Sequence, residues 1–126
     1  MEKRDHFREL LGIKVLEARE GYAKLSMLIT REHLNFVGFT HGGAIFALAD
    51  CAFAEAVNFG ENKAVAVQVS INYVKPSGEG DTLTAEAAVV SESKTFSLCS
   101  INVKKEDKSV ALFTGLAYRL SRDNKT

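Results

Sequence analysis

The sequence predicts an α+β fold in which a curved antiparallel sheet wraps around one long central helix. Three observations predict it. Residues 43–57 carry only two charged side chains, Asp50 and Glu55, in an otherwise apolar run, and a helix that is apolar nearly all round must be surrounded by protein. Segments on both sides of that run alternate apolar with polar or small residues at period two, the mark of strands with one buried face. No second long helical pattern exists to cover the first, so strands must do it.

A chain of 126 residues with 46% hydrophobic content suits a single domain over residues 1–126 with a substantial core. Sixteen basic and sixteen acidic residues cancel, which removes the broad positive field of a nucleic-acid binder. No apolar stretch approaches the roughly 20 residues that span a bilayer. The opening MEKRDHFRELL lacks the apolar centre of a secretion signal, so a cytoplasmic protein with no membrane partner is expected. Cys51 and Cys99 lie in apolar surroundings without CxxC or Cys/His spacing. They read as buried free thiols, with no metal site and no disulfide framework.

In order along the chain, residues 3–11 (KRDHFRELL) space Phe7, Leu10 and Leu11 as a short amphipathic surface helix. One or two strands follow, the clear one running from Tyr22 to Ile29 with Ala23, Leu25, Met27 and Ile29 on one face. The long helix begins near His41 and stops at Asn58, Phe59 and Gly60. Residues 64–74 (AVAVQVSINYV) set Val65, Val67, Val69, Ile71 and Tyr73 in alternation, and KPSGEGD at 75–81 carries the only proline, Pro76, and the glycines of a turn. TLTAEAAVV, TFSLCSINV and SVALFTGLAYRL supply three further strands, the last two joined by the charged hairpin KKEDK. No repeat, low-complexity tract or linker interrupts them.

A sheet wrapped around one central helix, with a second subunit covering the other face, is the hotdog fold; periodicity alone also allows another α+β packing. Within the helix Asp50 shares a stripe with Phe46, Ala47, Phe53 and Ala54, its neighbours three and four positions away. A carboxylate between apolar walls is penalised by desolvation unless paired, and burial raises its pKa toward the range of a general base. A core aspartate that caps a loop or bridges a lysine of the sheet is the alternative.

Upstream, NFVGFTHGG places small residues at the helix start, where backbone N–H groups have no intrahelical partner and carry partial positive charge. Such donors can hold a developing oxyanion. Gly42 and Gly43 would let a carbonyl approach the backbone closely, or would simply make a tight turn. His41 suits a hydrogen bond to the loop or proton donation, and Asn35 a turn or a contact to the reacting group.

The run HLNFVGFTHGGAIFALADCAFAEAVN, with Asn35, Gly38, His41, Gly42, Gly43 and Asp50, resembles the signature of PaaI-type hotdog acyl-CoA thioesterases, a family whose namesake belongs to phenylacetate degradation. The likeness continues through SINYVKPSGEGDTLTAEA and VALFTGLAYRL. It implies hydrolysis of an acyl-CoA thioester to a carboxylate and free CoA without a metal or redox cofactor, aryl-acetyl and medium-chain acyl groups being the candidate substrates. By this resemblance Asp50 activates or orients the attacking water, or attacks directly, and the Gly42 N–H polarises the thioester carbonyl. Asn35 positions the carbonyl or water, and His41 supports the loop. Some relatives also hold the water with a serine or threonine of the following strand, where this chain has Ala66, with Gln68 two residues on.

At about 1.5 Å per helical residue, Asp50 lies roughly 12 Å along the axis from Gly42, too far for both to touch one carbonyl. Two helices meeting across a two-fold axis would set the N-terminus of one against the aspartate of the other, a homodimer with two equivalent sites at its interface. The resemblance adds a tetramer made of two such dimers. Lys75, Lys94, Arg119 and Arg122 are candidates for the CoA phosphates. Gly43, Phe46, Phe53 and Ala66 are candidates for the substrate pocket. Two other functions keep the same fold. A hotdog hydratase or dehydratase would need an Asp-x-Asn-x-x-His run, which is missing, and a non-catalytic acyl-CoA-binding protein would not need Asp50.

Overall fold

The computed structural model describes residues 4–120, which build two α-helices and six strands. Their order is α1 (His6–Leu11), β1 (Ile13–Arg19), β2 (Tyr22–Leu28), a 3-10 turn at Arg31–His33, α2 (Gly42–Val57), β3 (Ala64–Tyr73), β4 (Thr82–Glu92), β5 (Phe96–Lys105) and β6 (Lys108–Arg119). The strands form one antiparallel sheet in the order β1-β2-β4-β5-β6-β3. Register shifts in β1 at Val15/Glu17, in β3 at Ala66/Gln68 and in β4 at Val89/Ser91 add local bend and twist.

The period-two alternation translates directly into the inner face. Ala23, Leu25 and Met27 of β2, Leu83, Ala85 and Ala87 of β4, and Cys99, Ile101 and Val103 of β5 are all buried. Against them α2 turns Ile45, Leu48, Ala49, Ala52, Phe53 and Ala56. Alanines on both partners bring helix and sheet close together, and each fully buried Leu, Ile or Phe stabilises the fold by about 1.5–3 kcal/mol. Cys51 and Cys99 are free and buried as expected, and burial pushes both thiols up to about 12.

Both ends of α2 are tied down. His41 is its N-cap and Asn58 its C-cap. The Asn58 amide donates to Ala54 O at 2.9 Å, and its Oδ1 accepts from the Ala64 N–H at 2.8 Å, joining the helix end to the first residue of β3. The predicted hairpin between the last two strands turns at Glu106 and Asp107. Among the described residues no helix is long and apolar enough to cross a membrane.

Three details depart from the sequence expectation. Two strands, not one, precede α2, but the first, β1, is an edge strand in which only Ile13 is buried, so period-two patterning is absent. The alternation of β3 is buried only in part: Val65 and Val67, toward the Ala64 end of this opposite edge strand, are half exposed, whereas Val69 and Ile71 pack against the core and Tyr73 reaches Gly42 of α2. Phe53 does not share the open stripe of Asp50. It is 2% exposed and points into the sheet, where its ring lies so close to Gly115 that a Cβ there would sit 2.7 Å from ring carbons.

Candidate active site

The loop before α2 is stapled to its surroundings one hydrogen bond at a time. Asn35 Oδ1 accepts from the N–H groups of Val37, Gly38 and Phe39 at 3.0, 3.0 and 3.1 Å, and the Asn35 N–H donates to Phe39 O at 2.7 Å. Gly38 sits at the turn with φ +108°, a conformation that L side chains rarely adopt. The Ser77 hydroxyl donates to Thr40 Oγ1 at 2.7 Å, and the Thr40 N–H donates to Ser77 O at 2.9 Å. The His41 N–H donates to His33 O at 2.7 Å. His33 itself is buried, its Nδ1 accepting from the Thr30 N–H and its Nε2 2.8 Å from Leu11 O, so it links α1 to the loop. With its oxygen committed to the loop, Asn35 offers outward only its Nδ2 donor, for which the described residues supply no partner.

At the start of α2 the free donors sort themselves. His41 Nδ1 accepts from the Gly43 N–H at 2.8 Å, and the Ala44 and Ile45 N–H groups both reach His41 O. The Gly42 N–H has no partner among the described residues. It is therefore the helix-start donor left for a ligand. The Tyr73 hydroxyl donates to Gly42 O at 2.9 Å. Phe39, Thr40, Gly42, Ile45, Tyr73, Val74, Lys75 and Pro76 surround a cleft of about 300 Å³. Lys75 is thus brought beside Gly42. On the other side, Phe7, Leu11, Leu34, His41, Gly43 and Ala44 help to line a second, apolar cleft of about 270 Å³.

Asp50 lies two turns further along α2, half buried, with Ala54 exposed one turn beyond it. It accepts no hydrogen bond and joins no ion pair among the described residues. Burial pushes its carboxyl above the ordinary range, and the charge of Asp5 at the start of α1 adds to the shift. The capping or lysine-bridging alternative therefore lacks a partner among the described residues. Glu55, the other charge on the helix, is paired with Arg8 at 2.7 Å.

The other predicted residues spread out. Phe46 packs edge-on to Phe113, with centroids 5.4 Å apart. Ala66 is exposed at the bulge of β3. Arg119 donates to Ser93 O at 2.6 Å on the β4–β5 hairpin, which also carries Lys94. It pairs with Ala64 at the far end of β3, nine residues from Tyr73, or about 30 Å along the strand. Arg122 lies outside the described residues. Tyr73, which touches Gly42, reads in the sequence only as one more alternating strand position. Its partner is 31 residues away, and no local pattern signals that contact.

Residues 37–112 match the family model described as the Thioesterase superfamily. A putative esterase of Archaeoglobus fulgidus is 44% identical over 98% of this chain and 80% of its own length. The acyl-coenzyme A thioesterase PaaI of Escherichia coli is 39% identical over 95% of this chain and 86% of its own. A mutant structure of the phenylacetic acid degradation protein PaaI from Thermus thermophilus superposes with a TM-score of 0.89 at 40% identity, covering 92% of this chain and 100% of that one. Sheet, helix and residue pattern thus agree with sequence and structural kinship, and the chain belongs to the Thioesterase superfamily as a PaaI-type hotdog thioesterase.

Proposed function

We propose that this protein hydrolyses an acyl-CoA thioester to a carboxylic acid and CoA, at two sites shared across a homodimer. The observation that carries the reading is a complementary pair on one helix without partners among the described residues, the Gly42 N–H and the Asp50 carboxylate. A water oxygen bonds to the carbonyl carbon while Asp50 of one subunit takes its proton, and the Gly42 N–H of the other donates to the oxyanion. Collapse breaks the C–S bond, and the CoA thiolate leaves with the proton that Asp50 accepted. Attack by Asp50 itself, through an anhydride that water then opens, uses the same geometry. Atoms and charge balance without a metal or redox group. Asn35 Nδ2 orients the carbonyl or water, and His41 fixes the loop.

Two features support the dimer. The about 12 Å between Gly42 and Asp50 along α2 excludes both from one carbonyl within a chain. The two sheet edges are also unlike: β1 carries Lys14, Glu17 and Arg19, whereas β3 (AVAVQVSINY) has no charge over ten residues. Long uncharged edges pair with other strands unless protected. Antiparallel pairing of two β3 strands about a two-fold axis would run the α2 helices in opposite directions. It would also turn the Arg119 end of one β3 toward the Lys75 end of the other, near the CoA phosphates. A tetramer of two dimers and a cytoplasmic location belong to the same reading, the latter supported by the two free cysteines. The name of the Thermus thermophilus relative, a phenylacetic acid degradation protein, favours an aryl-acetyl group, with medium-chain acyl groups as the second candidate. Released thiol measured over a panel of acyl-CoAs tests the reading: activity on at least one member is expected, and a folded chain that releases thiol from none refutes it.

A further inference from the structure

We propose that Tyr73 is a positioning residue for the oxyanion donor, pinning the Gly42–Gly43 peptide from the side opposite His41. This rests on the Gly42 N–H being that donor. The peptide is held at both ends: its C=O accepts from the Tyr73 hydroxyl at 2.9 Å, and its N–H donates to His41 Nδ1 at 2.8 Å. Glycine is the residue whose backbone turns most freely, and Gly42 joins this clamped peptide to the one that carries the free N–H. On that earlier peptide's other side, His41 O accepts from Ala44 and Ile45. With the carbonyl of its own peptide held and the next peptide clamped, the Gly42 N–H points in one direction before substrate arrives, and preorganisation of this kind is what makes an oxyanion donor effective.

The hydroxyl bond is not needed for helix formation. A carbonyl at the first helical residue is already an acceptor in the intrahelical ladder, and Tyr73 occupies its second lone pair. The ring has a separate role. A Cβ on Gly42 would lie 3.2 Å from Tyr73 Cζ and 3.3 Å from its oxygen, so the ring packs flush against the glycine and walls the cleft that also contains Lys75. Burial raises the phenol's pKa, which keeps its proton in place for donation.

Tyr73→Phe removes the hydroxyl and keeps the wall. Loss of a direct oxyanion donor costs about 10²–10³ in kcat, and a group that only aims the donor should cost less, about tenfold, with KM changed less than about twofold. Tyr73→Leu, which also removes the wall, should raise KM as well. An activity-independent readout is the Gly43 amide, followed by ¹⁵N–¹H NMR: in Tyr73→Phe its shift should move and its exchange with deuterium quicken, while the β3 amides stay as in the wild type. Wild-type kcat in Tyr73→Phe, or a Gly43 amide unchanged in shift and exchange, overturns the assignment. If the wild-type chain releases thiol from no acyl-CoA, the functional reading fails instead, and the Gly43 amide still decides the clamp.

Discussion

Asparagine at position 50 separates a carboxylate that performs chemistry from one that holds the fold together. Asp50→Asn preserves shape and removes only charge and basicity. Among the described residues there is no Asp50 bond to break, since the factors acting on it are burial and the like charge of Asp5, both of which raise its pKa. With the folded pKa above the unfolded one, wild-type stability falls as pH rises from the unfolded value through the folded value, and the loss persists at neutral pH. Asparagine carries no such loss. Water reaching the half-open carboxylate screens the effect and limits the gain to about 1 kcal/mol, or about 4 °C for a chain of this length. The expected Tm at pH 7 is therefore equal to the wild type or up to about 4 °C higher, converging with it below about pH 4. Turnover should fall by about 10²–10⁴-fold, the usual worth of a general base. In the wild type the acid limb of kcat/KM should lie above the ordinary aspartate range, and Asp5→Asn should move it down. Calorimetry at pH 4 and pH 7 with initial rates of thiol release measures all of this. Near-wild-type turnover in Asp50→Asn, or a Tm at pH 7 lowered by more than about 4 °C, would refute the reasoning and make Asp50 structural.

Gly42→Val should cut kcat by about 10²–10³, because its branched side chain meets the Tyr73 ring and blocks carbonyl approach; Gly42→Ala, which needs only a small ring shift, should retain more, and full activity in a folded Gly42→Val places the donor elsewhere. Gly115→Ala should destabilise the fold by about 1–3 kcal/mol by driving a Cβ into the Phe53 ring, seen as a lowered urea midpoint at unchanged slope; an unshifted midpoint would mean the contact relaxes freely. A purified heterodimer with Asn35→Ala in one chain and Asp50→Ala in the other should recover about half the wild-type rate from two inactive parents, since two-fold symmetry gives one intact and one doubly damaged site; no recovery despite confirmed mixing removes the shared site.

What can be read from the sequence follows from how local the physics is. Ala23, Leu25, Met27 and Ile29 alternate and are all buried, because β2 lies inside the sheet with one face under α2 and one in solvent. The same alternation in β3 names a strand but not its burial, since at this sheet edge Val65 and Val67 stay half exposed while Val69 and Ile71 pack partly against the core. Asp50 stands out because one charge in an apolar run is a local anomaly. Helical spacing misplaces Phe53 because three and four positions on a helix span a wide arc, and only Gly115, 62 residues further on, shows which side of that arc meets the sheet. His41 as N-cap follows from short-range patterning. The Tyr73–Gly42 bond and the commitment of Asn35 Oδ1 to three backbone donors depend on tertiary closure and loop shape.

The features left unsatisfied among the described residues of one chain are complementary in kind. Gly42 offers a donor, Asp50 an acceptor, and β3 an uncharged edge. A hydrogen-bonding group kept from water without a partner costs stability, and a long uncharged edge invites association. In the proposed dimer one two-fold operation addresses all three: β3 pairs with β3, and the donor of each helix faces the acceptor of the other across a gap that the thioester and its water fill. Assembly and catalysis would then draw on the same residues, so activity should vanish on dilution together with the dimer. A subunit held apart by a proline in the middle of β3, at Val69, should keep its own core and hydrolyse nothing. Thiol release that persists in such a monomer, confirmed by sedimentation, would show that one chain completes the site and that the about 12 Å offset is bridged by substrate or water alone.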